Sequence, residues 1–101
     1  MKEKTLENKI KKHLENKGHW YIKISASVTM RAGIPDILTC IDGLFVALEI
    51  KNPNKKGKVS ELQKYNIEKI KDSFGHALVI DSWEQYLDEY YKIVSKKYDR
   101  R

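Results

Sequence analysis

With Cys40 as its only cysteine, the chain has no internal disulfide and no Cys/His spacing of the kind that makes a zinc site. Any metal is therefore expected to be held mainly by oxygen. Prolines number two, and no Pro-, Gly- or Ser-rich stretch divides the 101 residues, so one domain over 1–101 is expected. No apolar run approaches the roughly 20 residues that cross a bilayer. Met1-Lys2-Glu3-Lys4 has no apolar segment behind it to serve as a signal peptide. These absences lead to the expectation of a soluble intracellular protein with no membrane association.

Positive charge is what the chain has in excess. Twenty Lys plus Arg against fourteen Asp plus Glu give a formal charge of +6. That balance suits a polyanion such as nucleic acid, and it equally suits a solubilising lysine-rich surface, so charge suggests a partner without naming a chemistry.

Local patterns divide the chain into seven elements. Leu6, Ile10 and Leu14 recur at helical spacing among Lys and Glu, and Gly18 supplies a stop. Trp20 to Ile24 reads as a strand, followed by a polar loop through Ser25, Ser27, Thr29, Arg31 and Gly33. Two apolar runs, 34–41 and 44–51, are separated only by Asp42-Gly43, a dipeptide that tolerates the positive φ of a type I′ turn and so predicts a hairpin. After the basic loop 52–59, Ser60 with Gln63 three residues on resembles a capping box opening a helix to about Phe74. A short strand at 76–81 precedes a last helix capped by Ser82, whose Trp83, Tyr86, Leu87, Tyr90, Ile93 and Val94 follow helical spacing. The order is αβββαβα, an α/β chain, and the 96–101 tail is expected to be a frayed end.

The hairpin carries the chemistry. If Asp42 and Gly43 are the central turn residues, Ile41 pairs with Leu44, and counting outward sets Asp36 opposite Glu49, with Lys51 on the same face as Glu49. Opposed Cβ atoms lie about 5 Å apart, where two carboxylates repel by roughly 3 kcal/mol at an effective dielectric of about 20. Mg²⁺, which takes carboxylate and carbonyl oxygens, offsets that repulsion; Lys51 or a shared proton would do so in part. The neighbours Leu38, Cys40, Phe45 and Ala47 are apolar or small, so this face is expected to be packed rather than solvated.

Other residues admit two readings each. Glu7, at the border of the first helix's apolar stripe, is either a solvated partner of Lys11 or a group reaching the sheet edge. Gln63 is a capping residue, an amide aimed at the active centre, or both. Lys55, Lys56 and Lys58 either contact phosphates or belong to a hydrophilic loop, and Lys23, Ser25 and Arg31 flank the Asp36 segment as further phosphate contacts. His13, His19 and His76 show no ligand spacing.

Taken together, Glu7-x-x-Ile10-x-x-x-Leu14, Gly33-Ile34-Pro35-Asp36, Glu49-Ile50-Lys51 and Ser60-x-x-Gln63 resemble the PD-(D/E)XK nuclease superfamily, and within it the virus-type replication-repair nuclease (VRR-NUC) domain, from about Glu7 to Ser82. The resemblance implies a restriction-endonuclease-like αβββαβ core with a C-terminal helix and a mixed central sheet flanked by helices. It implies Asp36, Glu49 and the Ile50 carbonyl as metal ligands, with Glu7 completing the shell directly or through water. Lys51 would stabilise developing charge or orient the attacking water, and Gln63 would support the site. The cofactor implied is Mg²⁺, with Mn²⁺ able to substitute, in a minimal stand-alone form of the kind viruses encode, which places it in the host cytoplasm. The reaction implied is metal-assisted phosphodiester hydrolysis.

By this resemblance the substrate is DNA, branched or a Holliday junction, and the protein a homodimer. The aromatic last helix is one surface that could bury a partner, unless it packs on its own domain. A non-catalytic nucleic-acid-binding module on the same fold is the alternative function, and a protein-interaction domain is a third.

Overall fold

The computed structural model describes residues 2–25, 32–52 and 59–99, with side chains as far as Ser95. Its elements are α1 (Glu3–Asn16), β1 (Trp20–Lys23), β2 (Ile37–Ile41), β3 (Leu44–Ile50), α2 (Glu61–Asp72), β4 (His76–Ile80) and α3 (Trp83–Asp99), in the expected αβββαβα order. The strands form a sheet in the order β1-β2-β3-β4, antiparallel across the first two pairs and parallel between β3 and β4. A parallel pair needs a long crossover, and α2 supplies it. The chain thus has the mixed sheet, flanking helices and C-terminal helix of a restriction-endonuclease-like core.

Each boundary has a local cause. Gly18 (φ +79°) ends α1, with its N–H on the Glu15 carbonyl and that of His19 on Leu14, the paired bonds of a Schellman stop. Asp42 (φ +50°) and Gly43 (φ +85°) make the turn, and the ladder runs from Ile41–Leu44 to Ile37–Leu48, the register the dipeptide implied. Ser60 and Gln63 form the full capping box. The Ser82 hydroxyl accepts the Gln85 N–H at the head of α3.

Two helices cover one face of the sheet and one covers the other. Leu6, Ile10 and Leu14 of α1 and Tyr86, Tyr90 and Ile93 of α3 enclose Ile37, Ile41, Val46, Leu48, Ile50 and Ile80. Full burial of a Leu or Ile side chain contributes about 1.5–3 kcal/mol, so this side holds most of the core. On the α2 side a smaller cluster gathers Ala47, Ile67 and Ala77 with Leu38, Val59, Ile70 and Val79.

That imbalance corrects the expectation of a packed hairpin face. Ala47 and Glu49 are buried, but Phe45 is 47% exposed and Cys40 is exposed, because among the strands α2 packs mainly on β4, at the edge of the sheet away from β1 and β2. Two helix boundaries also differ from expectation. Helix α2 stops at Asp72, and Phe74 adopts φ +68°, leaves the helical wheel and is 93% exposed. Helix α3 continues through Asp99 where a frayed tail was expected. Among the described residues no helix is long and apolar enough to cross a membrane.

Candidate active site

One end of the sheet, where β3 runs out beside the start of β2, collects the charged residues. Glu49 is the penultimate residue of β3, on the α2 side, and is only 3% exposed. Asp36 stands one residue before β2, one pair beyond the last rung of the ladder and therefore facing Glu49 in the expected register. Its backbone carbonyl accepts the Ile24 N–H (2.8 Å), and its side-chain Oδ2 accepts the Ile50 N–H (2.8 Å). Asp36 is thereby pinned to both neighbouring strands.

The segment leading to Asp36 is held by α2. Gly33 has φ +81°, and a Cβ there would lie 2.7–2.8 Å from the Leu62 backbone and Cβ, so the chain passes too close to the helix for any side chain. Asn66, 6% exposed, donates from Nδ2 to the Ala32 carbonyl (3.2 Å) as well as to Leu62 (3.0 Å). Sequence reading had not singled out Asn66. Its signal was an amide three residues after Gln63 on the inward face of a helix, where it needs a partner.

Around Glu49 the bonds are asymmetric. Oε2 accepts from Gln63 Nε2 (2.7 Å) and lies 3.3 Å from the Lys51 ammonium, which also donates to Gln63 Oε1 (3.3 Å). Gln63 therefore closes the capping box, since Oε1 also accepts the Ser60 N–H (3.0 Å), while its amide N–H is directed at Glu49. Oε1 of Glu49 is buried and has no hydrogen-bond partner among the described residues. Burial first, then the field of Asp36, pushes the Glu49 carboxyl above the ordinary 4.5, outweighing Lys51 and Gln63.

Glu7 lies on the other side of Asp36 and is 6% exposed. Oε2 meets Lys4 (3.4 Å) and Lys11 (3.5 Å), while Oε1 meets Lys23 at 2.8 Å. Both readings of Glu7 thus hold in part: it is an i,i+4 partner of Lys11, but a buried one at the sheet edge. Burial works to raise its pKa, but the bond and field of Lys23, with Lys4 behind them, outweigh it and leave the carboxyl below its ordinary value. Lys23 also approaches Asp36 Oδ1 (3.6 Å). Burial disfavours its charge, yet Glu7 and Asp36 together more than offset this and its pKa is raised.

Glu7, Asp36, Glu49 and Ile50 are therefore gathered at one end of the sheet, with Lys23, Lys51 and Gln63 among them. Among the described residues no three His, Cys, Asp or Glu side chains converge closely enough to enclose a metal. The reason is visible in the contacts: the Lys23 ammonium lies between Glu7 and Asp36, and the Ile50 amide holds the second Asp36 oxygen. Ser25 is exposed, and Arg31, Lys55, Lys56 and Lys58 lie outside the described residues.

The donor set suits a hard divalent cation, which prefers oxygen ligands. A buried carboxylate oxygen without a partner, beside a second carboxylate, is costly unless something positive completes it. Residues 1–78 match the family model described as archaeal Holliday junction resolvase (Hjc). The matching model is that one, rather than VRR-NUC, whose motif order the chain resembles. No curated protein matches the chain.

Proposed function

The chain belongs to the archaeal Holliday junction resolvase family, a PD-(D/E)XK-type nuclease domain, and on that premise we propose that it is a Mg²⁺-dependent endonuclease that cuts branched DNA. We extend the nuclease domain to all of 1–101 and take VRR-NUC as a relation at the level of the superfamily. The observation that carries this reading is the Glu49 carboxylate: buried, raised in pKa, with Oε1 unpartnered among the described residues, and flanked by Asp36 and Lys51.

In this reading Asp36, Glu49 and the Ile50 carbonyl would hold Mg²⁺, with Glu7 completing the shell directly or through water, and Mn²⁺ would substitute. When bound, the cation lowers the pKa of a coordinated water and stabilises charge on the phosphoryl oxygens. Lys51 places an ammonium beside Glu49, where it stabilises the negative charge that grows as the phosphodiester is attacked. Gln63 fixes both: its amide bonds to Glu49 and Lys51 hold two flexible side chains in one arrangement, and the capping box anchors Gln63 to the head of α2. Ser25, Arg31, Lys55, Lys56 and Lys58 are proposed as phosphate contacts that position the duplex without reading bases.

Two cuts across a junction need two active centres, so we propose a homodimer. The aromatic face of α3 is spent on its own chain, where Trp83, Tyr86 and Tyr90 pack edge-on or stacked with one another and with His13. The unspent apolar surface lies on α2's side. Leu62 (55% exposed), Tyr65 (56%), Phe74 (93%) and Phe45 (47%) stand there, with a cavity of about 370 Å³ lined by Ile34, Pro35, Leu38 and Ile70. A second copy is the occupant that supplies the second cut. Light scattering at micromolar concentration should give twice the chain mass; a monomer with full junction-cutting activity would sink the dimer.

Incubation of the purified protein with labelled four-way, flap, nicked and linear DNA, with and without Mg²⁺, tests the substrate. Metal-dependent cutting that favours the branched substrates is expected. Salt-sensitive binding with no product from any of them would mean a binding module instead.

A further inference from the structure

The Lys23 ammonium occupies an unusual position. Two carboxylate oxygens from different elements, Glu7 Oε1 of α1 and Asp36 Oδ1 ahead of β2, face it at 2.8 and 3.6 Å. Glu7's other oxygen is served separately by Lys4 and Lys11, both from α1 itself and neither in contact with Asp36. Lys23 is thus the one cation, among the described ion pairs, that joins the two acids. Lys23 pairs with Ile37 across the ladder, which sets its side chain on the face that α1 and Glu7 cover, and its ammonium reaches Asp36 just ahead of the start of β2.

Resting on the metal-site reading above, we propose that Lys23 is an internal stand-in for the divalent cation: it holds Glu7 and Asp36 together in the metal-free protein, and Mg²⁺ displaces it. Once displaced, the ammonium is released at the rim of the site, where its side chain is already one-third exposed (33%) and can meet a DNA phosphate. Metal binding and DNA binding are then coupled through one lysine. Two carboxylates so close repel each other, and a +1 charge in contact with both relieves that only until a +2 charge competes for the same oxygens. The two cations cannot both sit in contact with Glu7 Oε1 and Asp36 Oδ1, so Lys23 weakens metal affinity by the free energy of its own two contacts.

Calorimetric titration of Mg²⁺ into the DNA-free protein tests this. Lys23→Met is expected to bind Mg²⁺ at least about tenfold more tightly than wild type, while Lys4→Met and Lys11→Met, which touch only the far oxygen of Glu7, stay within about threefold. In thermal melts Lys23→Met loses stability without metal and recovers it with Mg²⁺. Lys23→Gln serves if the methionine variant does not fold.

In a Lys51→Ala background, Mg²⁺ should tighten four-way-junction binding, and adding Lys23→Met should remove that gain. Unchanged or weaker Mg²⁺ affinity in the Lys23 variants, or junction binding that gains equally from Mg²⁺ with and without Lys23, overturns the exchange while leaving the metal site standing. No Mg²⁺ binding by wild type or variant overturns both.

Discussion

Glu49→Gln is expected to reduce cleavage of branched DNA by on the order of 1000-fold, while leaving the metal-free protein at least as stable as wild type. The first effect follows from what a bound cation supplies: about 4 kcal/mol of transition-state stabilisation corresponds to three factors of ten in rate. The second follows from the environment of the wild-type side chain. Its carboxylate is 3% exposed, one oxygen has no partner among the described residues, and burial with Asp36 raises its pKa above 4.5.

A carboxyl whose folded pKa is raised binds its proton more readily in the folded state. Its contribution is therefore full below pH 4.5 and declines as pH rises through the folded pKa. The stability advantage of Glu49→Gln over wild type should accordingly be absent below pH 4.5 and grow toward neutrality. Circular dichroism melts in a chelator over that pH range, beside rates on a labelled junction, measure both effects. Cleavage at the wild-type rate by a folded Glu49→Gln protein would remove this residue from the chemistry.

Tyr86→Ala should cost about 3–5 kcal/mol, a large part of the roughly 5–15 kcal/mol that holds a small domain together. Tyr86 is 1% exposed and the largest fully buried side chain, its ring stacks on Trp83 with centroids 5.4 Å apart, and its hydroxyl shares a 2.8 Å hydrogen bond with His13 Nδ1. Burial holds the phenol protonated, with its pKa well above the ordinary value. Truncation would open a cavity between α1, α3 and the sheet and leave the His13 nitrogen without its partner. Tyr91→Ala, at a position 53% exposed, should change stability by less than about 1 kcal/mol. Urea denaturation compares the two. The result bears on architecture, because the matched family residues end at 78 and α3 begins at Trp83. A small loss for Tyr86→Ala would mean that α3 is an appendage and that the core is complete without it.

The hairpin was the most legible part of the sequence, because its register depends on a local device. Asp42-Gly43 can adopt the two positive φ angles of a tight turn, and once they do, every later pairing follows by counting, including the approach of Asp36 to Glu49. Helix ends set by glycine or by capping side chains, at Gly18, Ser60 and Ser82, were legible for the same reason. The capping and the inward direction of Gln63 were both legible, because capping is a matter of spacing and inward direction a matter of helical period.

Features that depend on distant parts of the chain were not legible. Gly33 stood in a motif, but its physical requirement is the backbone of Leu62, on a helix far along the chain. Lys23 stood out only as a flank of the Asp36 segment, and its contacts with both Glu7 and Asp36 depend on α1 and β1 folding together. The hydrophobic pattern marked Phe45 as interior, yet it is 47% exposed, since pattern says which side chains favour burial and not whether an element arrives to cover them.

Magnesium-started cleavage of a preassembled protein–junction complex is the most direct test of a metal-dependent active centre at Asp36, Glu49 and Lys51. The complex is formed in chelator with protein in excess over a labelled four-way junction, Mg²⁺ is added, and the strands are resolved on a denaturing gel over time. No product before Mg²⁺ and paired incisions after it, lost in Lys51→Ala, is the predicted result. Product formed in the chelator, or a bound junction that stays intact after Mg²⁺, would contradict it.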